Sequence, residues 1–315
     1  MPSGRASSQH NDFWDVVRDD IVGRTTSITT PFGERLLTYA DFTASGRAVG
    51  FLERYVEHVL ELYGNTHTED DATGRTTTER LHHAERTIKR LLGATDAYKL
   101  IEVGSGTTGA VHRLQQILGI YLPPAARDTF ASQIGEALGE EQADALFERL
   151  AAERPVVFVG PYEHHSNEVS WRECWADVVE IELTDSGLID LDDLERTVSD
   201  TRYAGRRKIG AFSAASNVSG VKTPVYEVAR ILHEHDALAF FDFAAIAPYV
   251  TIDVHRDDRS YFDAIYFSPH KFLGGPGSSG ILLIHERLYR RDLSPTVGAG
   301  GTVNFVDSTG QDYSD

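Results

Sequence analysis

A lysine after a predicted strand has the surroundings of a reactive amine. Lys271 ends the segment Ser268-Pro269-His270-Lys271, which follows an apolar run and precedes the Gly-rich stretch Phe272 to Gly277. A lysine among small residues at a strand end can lose hydration. Dehydration lowers the pKa of an ammonium group and frees its amine to attack an aldehyde. A solvated surface lysine is the alternative, and this segment alone does not decide between the two.

Two further predicted strands lead into polar residues. Asp242 ends the run Leu238 to Phe241, and the carboxyl end of a parallel strand lies on the edge where α/β proteins bind ligands. A carboxylate there can keep a pyridine nitrogen protonated, or it can cap the segment that follows. Asn217, in the segment Ser216 to Gly220, could hydrogen-bond a phenolic oxygen or a carboxylate, although Asn and Gly also favour a plain turn.

The segment Gly104 to Gly109 matches the pattern G-x-G-x-x-G between a predicted strand and a helix. A dinucleotide site would also need an acidic residue about 20 positions on, at the end of a second strand. Asp128 has this spacing but follows Pro123-Pro124 at the start of a helix-like segment, which disfavours that interpretation. A helix N-terminus with the hydroxyls of Thr107 and Thr108 would instead hold a phosphate. A structural turn, or a nucleotide-binding oxidoreductase site, remains the alternative.

A histidine pair follows another predicted strand, which ends at Gly160. The segment Glu163 to Asn167 offers an imidazole that could stack on a planar ring. A metal site with His233 and His235 is the competing hypothesis, but these two differ by two positions on a predicted helix and point apart. The chain also has no HExxH motif and no cysteine cluster. We therefore expect no metal site.

Strands and helices alternate along most of the chain, which predicts a doubly wound, mainly parallel α/β sheet flanked by helices. Strands are predicted at Leu36–Tyr39, Tyr98–Val103, Val156–Gly160, Val178–Leu183, Lys208–Ser213, Ala237–Phe241, Ala264–Ser268 and Gly280–Ile284. Helices are predicted at 13–22, 47–62, 76–92, 110–121, 191–198 and 224–235, with an inserted helical pair at 125–153. Because parallel strands share one carboxyl edge, the polar clusters that follow them are expected to meet there.

Together these clusters resemble the class V aminotransferase group of pyridoxal-phosphate enzymes of fold type I, which includes cysteine desulfurases and selenocysteine lyases. The resemblance covers roughly residues 39 to 301. It rests on Tyr39–Ser45 (YADFTAS), Gly106–Thr108, Glu163–Asn167 (EHHSN), Ser216–Gly220 (SNVSG), Asp242-x-Ala244 and Ser268–Lys271 (SPHK). It implies a transferase or lyase that acts on a small amino-acid substrate. A desulfurase-like or lyase-like reaction is the first expectation, and transamination is the second.

The resemblance also assigns roles by position. It implies that Lys271 holds pyridoxal 5'-phosphate as a Schiff base, that His164 stacks on its ring, and that Asp242 pairs with its ring nitrogen. The implied phosphate ligands are Thr107, Thr108, Ser268 and His270. Asn217 would lie near the cofactor oxygen and the substrate, and Ala44 and His67 would face the substrate.

The chain departs from the family pattern at three places. Ala245 stands where desulfurases usually have Gln, three residues after the Asp. The sulfur-accepting Cys and the carboxylate-binding Arg of the family both belong to a C-terminal region, and Cys174 is instead interpreted as a small buried residue. We expect an N-terminal arm with a short helix (1–30), a cofactor-binding large domain (31–295) and the start of a C-terminal region that is cut off, with the small domain absent (296–315).

Charge and composition narrow the expected partners. The net charge of −18 disfavours binding to nucleic acid or to an anionic membrane. The single cysteine excludes an intrachain disulfide and fits a reducing cytoplasm. No apolar run approaches the roughly 18 residues of a membrane span, and the N-terminus has no signal-peptide core. We expect a cytoplasmic protein, and the resemblance implies a homodimer with its active site near the interface.

Overall fold

A computed structural model of the chain describes residues 8–66, 68 and 70–314. The chain forms two compact units. The first contains the described residues up to Glu85 together with Ser268–Ser279. The second contains Arg86–Phe267 and the residues from Gly280 onward. Among the described residues, no helix combines the length and the apolar character that crossing a membrane requires.

The first unit contains short elements. They are α1 (Ser8–Asp19), β1 (Ser27–Thr30), β2 (Gly33–Leu36), α2 (Gly50–Leu60) and most of α3 (Ala72–Leu91). The strand predicted at Leu36–Tyr39 is wrong, because β2 ends where that strand was expected to begin. The pairing with β1 runs from the tight turn at Thr30–Gly33, where Gly33 has a φ of 87°, to the pair of Ser27 and Leu36.

The second unit contains a seven-stranded sheet with the order β3-β9-β8-β7-β6-β4-β5. Its strands are β3 (Tyr98–Val103), β4 (Val156–Val159), β5 (Asp177–Glu180), β6 (Lys208–Ser213), β7 (Ala237–Asp242), β8 (Ala264–Phe267) and β9 (Gly280–His285). The strands β4 to β8 pair in parallel, and β9 pairs antiparallel with both β8 and β3. The predicted mainly parallel sheet is therefore confirmed.

Helices cover both faces of this sheet. They are α4 (Gly106–Ile117), α5 (Pro124–Leu138), α6 (Glu140–Ala152), α7 (His165–Arg172), α8 (Leu191–Val198) and α9 (Val225–Glu234). On one face, Leu114 of α4 and Trp171 of α7 are fully buried in a core with Val157 and Phe240 of the strands. On the other face, a Cβ added at Gly210 of β6 would meet Leu232 of α9 at 2.4 Å.

Three features differ from the sequence-based expectation. The short Ser268–Ser279 connection contains no α-helix to cross the sheet, so β9 returns antiparallel instead of continuing the parallel series. The helix α7 was not predicted. Near the C-terminus, β10 (Val303–Val306) and β11 (Gln311–Tyr313) form a hairpin that was not predicted.

Candidate active site

Asp242 lies at the carboxyl end of β7 between two register partners, Ser213 of β6 and Tyr266 of β8. Its side chain is buried, with 4% of the residue exposed, and its Oδ1 accepts from the Ala244 N–H (2.8 Å). Phe240, two residues earlier and hence on the same face of the sheet, stacks on Trp171 of α7 with 6.2 Å between ring centroids. The carboxylate therefore belongs to the face that α7 covers.

His164 is the N-cap residue of α7. Its Nδ1 accepts from the Ser166 N–H (3.1 Å), so a neutral ring carries its proton on Nε2. The residue is exposed, whereas the next two turns of the helix bury Asn167 and Trp171. This local hydrogen bond fixes the imidazole at the start of a helix that packs across the sheet face of Asp242.

The helix α4 begins directly after β3, at the motif Gly104 to Gly109. Ser105 adopts a left-handed conformation (φ 66°), Thr107 is buried, and the exposed Thr108 donates from Oγ1 to Ser166 Oγ (3.1 Å). The first turns of α4 and α7 are thus joined by their side chains. A Cβ at Gly109 would lie 1.8 Å from the Gly104 carbonyl oxygen, so the turn requires glycine there.

The nucleotide-binding alternative for this motif is not supported. A dinucleotide fold needs its acidic residue at the end of a second strand. Asp128 instead lies within the helix α5. The turn and the helix N-terminus keep their suitability for a phosphate group, because the backbone N–H groups of a helix N-terminus and the helix dipole both favour an anion.

A buried polar network lies beneath these elements, and the sequence analysis did not predict it. The Glu163 carboxylate accepts hydrogen bonds from the Gly160 N–H (3.1 Å), the Asn167 Nδ2 (2.6 Å) and the Ser213 N–H (2.7 Å). Burial raises the pKa of Glu163, while these hydrogen bonds act in the opposite direction. The side chain thus links the end of β4, the first turn of α7 and the end of β6.

Asn167 extends this network to Tyr266, the residue of β8 that lies opposite Asp242. Its Oδ1 accepts from Trp171 Nε1 (3.2 Å) and from the Tyr266 hydroxyl (2.5 Å). Burial raises the pKa of Tyr266 well above its usual value, and the nearby charge of Asp242 adds to this effect. The signal that could have revealed the network is the spacing of Glu163, Asn167 and Trp171, which recur every four residues as on one helix face.

Lys271 belongs to the first unit, where it ends a short helical turn that starts at Pro269. Its N–H donates to the Ser268 carbonyl (3.0 Å), and the residue is partly buried. The His270 carbonyl accepts from the Gly46 N–H (2.8 Å) and from Ser45 Oγ (3.4 Å). The lysine segment is therefore attached through its backbone to the turn that contains Ala44.

The two predicted phosphate ligands beside the lysine, Ser268 and His270, lie in the same unit as Lys271. Ser268 follows the last residue of β8 in the chain and is 3% exposed. Partial burial lowers the pKa of the His270 imidazole, and the charge of Lys271 lowers it further. A neutral imidazole can still donate one hydrogen bond to an anion.

The remaining predicted site residues lie in loops or outside the residues that the structure describes. Asn217 is exposed in a turn that is closed by the Ser216 N–H donating to the Val221 carbonyl (2.9 Å). Ala245 is partly buried in the turn after Asp242. His67 lies outside the described residues.

The histidines considered for a metal site have other contacts. His233 Nε2 lies 3.0 Å from Asp263 Oδ2, and His235 Nε2 lies 3.9 Å from the Glu195 carboxylate. The part of the chain that the structure describes has no group of three or more His, Cys, Asp or Glu side chains suited to a metal ion. Cys174 is buried, and burial raises the pKa of its thiol to about 12, as expected for an inert core cysteine.

Comparison with known proteins points to one family. The sequence model of the aminotransferase class-V family matches residues 142–315. A probable cysteine desulfurase of Halalkalibacterium halodurans is 27% identical over 281 residues, which cover 87% of this chain and 60% of that protein. A probable cysteine desulfurase of Staphylococcus epidermidis is 26% identical over 284 residues, 89% of this chain and 59% of that protein. The chain thus spans about 60% of the length of these curated relatives.

A solved structure shares the fold. The apo cysteine desulfurase of Thermococcus onnurineus NA1 superposes with a TM-score of 0.67 at 20% identity, and the match covers 100% of this chain and 66% of that one. At this identity the likeness concerns the fold alone.

The attachment of the lysine segment gives a testable prediction. A Cβ at Gly46 would lie 1.9 Å from the Phe272 carbonyl oxygen, so Gly46→Ala must displace the segment that follows Lys271. We expect faster amide hydrogen exchange in the peptide containing residues 268–279 and a loss of stability of about 1–3 kcal/mol. Gly300→Ala is the control, since a Cβ there would meet nothing within 4 Å. Equal exchange in the two variants would contradict the attachment.

Proposed function

This chain belongs to the class-V aminotransferase family, and from that premise we propose that it is a pyridoxal-phosphate-dependent enzyme. It would act on a small amino acid through Lys271, in a desulfurase-like or lyase-like reaction. The observation that carries the proposal is the buried Asp242 carboxylate at the end of β7, on the sheet face that α7 covers. The names of the curated relatives, probable cysteine desulfurases, support the reaction class.

The chemistry of the available groups fits this cofactor. Pyridoxal phosphate has a phosphate, an aromatic ring with a basic nitrogen, and an aldehyde. The N-terminal turn of α4 offers backbone N–H groups with Thr107 and Thr108 for the phosphate. Close backbone packing at Gly109 leaves that turn without a bulky side chain. Ser268 and His270 would be further phosphate ligands.

The other groups of the cofactor have matching side chains. The flat imidazole of His164 suits a stacking contact with the ring. The carboxylate of Asp242 suits a protonated ring nitrogen, and the primary amine of Lys271 suits an aldehyde. Asn217 would lie near the phenolic oxygen and the substrate, with Ala44 and His67 on the substrate side.

When bound, the cofactor supplies an electron-accepting ring that stabilises negative charge at the substrate α-carbon. In the proposed mechanism, Asp242 would favour the protonated ring nitrogen, and the burial of this carboxylate would strengthen the interaction by excluding water. Lys271 would hold the cofactor through its amine and, once that amine is released, would move a proton at the α-carbon as a general base and acid. His164 would restrain the ring by stacking on it, which would help to orient the bond to be broken.

We also propose that the protein works as a cytoplasmic homodimer. Phe51, Tyr55, Val56 and Leu60 of α2 are large apolar residues that are exposed in the single chain, and α2 contributes no buried residue. An exposed apolar face of this kind is typical of a protein interface. Sedimentation equilibrium is expected to give about twice the chain mass of 34.9 kDa. The mass of a monomer at micromolar concentration would contradict the dimer.

Lys271 is predicted to hold the cofactor. Borohydride reduction of the protein incubated with pyridoxal phosphate, followed by peptide mapping, should find the pyridoxyl group on Lys271 among the five lysines of the chain. Lys271→Ala should lose this label and the visible absorbance, whereas Lys222→Ala should keep both. A label on Lys222 or Lys208 in the unaltered chain would show that the assignment is wrong.

Asp242 is predicted to matter more for turnover than for cofactor binding. Asp242→Asn keeps the shape of the side chain but cannot hold the pyridinium proton, so sulfide release from cysteine should fall on the order of a hundredfold or more. The affinity for pyridoxal phosphate should change far less. Asp236→Asn is the control, since Asp236 lies before the same strand in a left-handed conformation that Asn also accepts. Normal turnover of Asp242→Asn would refute the role.

A further inference from the structure

We propose that Glu163 is a positioning residue that fixes both the imidazole of His164 and the carboxylate of Asp242. This inference rests on the proposed function, because it concerns the two side chains expected to contact the cofactor ring. Glu163 itself touches neither the ring nor the substrate in this proposal. It acts through the backbone and side chains that donate hydrogen bonds to it.

The first line of support is the set of segments that Glu163 joins. Its Oε1 accepts from the Gly160 N–H (3.1 Å) at the end of β4 and from the Ser213 N–H (2.7 Å) at the end of β6. Its Oε2 accepts from Asn167 Nδ2 (2.6 Å) in α7 and from Ser213 Oγ (2.5 Å). Donors from three directions leave the carboxylate no freedom to rotate. The short connection from Gly160 to His164 is therefore fixed at both ends.

The second line of support is the position of Asp242. Its two register partners are Ser213 and Tyr266. Ser213 donates directly to Glu163, and Tyr266 donates to Asn167 Oδ1 (2.5 Å), whose amide in turn donates to Glu163. Both residues that lie opposite Asp242 on the adjacent strands are thus hydrogen-bonded to the Glu163 carboxylate, Ser213 directly and Tyr266 through Asn167. Glu163 therefore restrains, directly or through Asn167, the side chains on both sides of Asp242.

The third line of support is the free-energy cost of withdrawing the Glu163 carboxylate from water. The partners described for the Glu163 carboxylate are all neutral donors: backbone N–H groups, a side-chain amide and a hydroxyl. A partly buried carboxylate balanced only by neutral donors costs more than an apolar side chain of similar size would. The fold needs links between these segments, but an acid withdrawn from water is an expensive means of making them. A requirement for fixed geometry at the neighbouring His164 and Asp242 explains its presence.

Glu163→Gln tests the proposal. The amide keeps the size of the side chain, but its NH₂ group faces donors and breaks part of the network. In the full chain loaded with pyridoxal phosphate, the dissociation constant should rise on the order of tenfold, since buried donors lose their acceptor. The circular dichroism of the bound cofactor, which reports a fixed asymmetric environment around the ring, should fall by roughly half or more.

Asp263→Asn is the matched control. Asp263 is a fully buried carboxylate in the same unit, before the amino end of β8, where it accepts from the Ala239 N–H (2.9 Å) and pairs with Arg287. Both variants should melt at lower temperature, but Asp263→Asn should leave the affinity and the dichroism of the cofactor within about twofold of the unaltered chain. Equal cofactor signals in the two variants would refute the positioning role and leave Glu163 as a structural residue.

A milder variant covers the case in which Glu163→Gln does not fold. Ser213→Ala removes one hydroxyl donor and keeps the backbone N–H, so it should weaken the dichroism in the same direction but to a smaller extent. A folded Ser213→Ala with an unchanged cofactor signal would then overturn the proposal. If the unaltered chain does not bind pyridoxal phosphate at all, the proposed function fails instead, and titration of the unaltered chain alone reveals that outcome.

Discussion

In the central strands of this sheet, β4, β6, β7 and β8, charged side chains occur only at the strand ends. The central strands are buried on both faces, as in β4, where all four residues of Val156–Val159 are buried. A charged or polar group within such a strand would have no water and few donors. Ser213 and Asp242 are the last residues of β6 and β7, and Glu163 follows β4 closely. The functional side chains therefore lie at the carboxyl ends of the strands because the rest of the central sheet is buried.

This constraint also explains why glycines and helix starts accompany the polar residues. A buried carboxylate needs several donors, and backbone N–H groups are available where strands end and helices begin. The first turns of α4 and α7 provide such groups, and Thr108 joins the two turns through Ser166. Within the other unit, the lysine segment is held by backbone hydrogen bonds to the turn around Gly46. In both units the backbone, more than large side chains, supports the functional groups.

The sequence predicted the buried strands and the long helices well, because their patterns are strong. The bounds of β6 agree with its apolar run, and the inserted helices α5 and α6 agree with the Ala- and Glu-rich segment at 125–153. The helix α7 was missed because it has only 8 residues and most of them are polar. The antiparallel pairing of β9 was missed because an apolar strand alone does not reveal its direction. Glu163 was overlooked because its partners come from three segments that are separate in the sequence.

The replacement of the usual Gln by Ala245 has a consequence for the proposed function. A methyl group cannot donate a hydrogen bond, so Ala245 cannot stabilise the phenolic oxygen of the cofactor as a glutamine would. Asn217 is the residue predicted to lie near that oxygen, and it occupies an exposed turn with fewer packing restraints than a buried side chain. Control of the ring's electrons would then rest more heavily on the nitrogen side, where Asp242 is buried. A rigid surrounding network has most value at that side, where Ser213 and Asn167 donate to Glu163 and Tyr266 donates to Asn167.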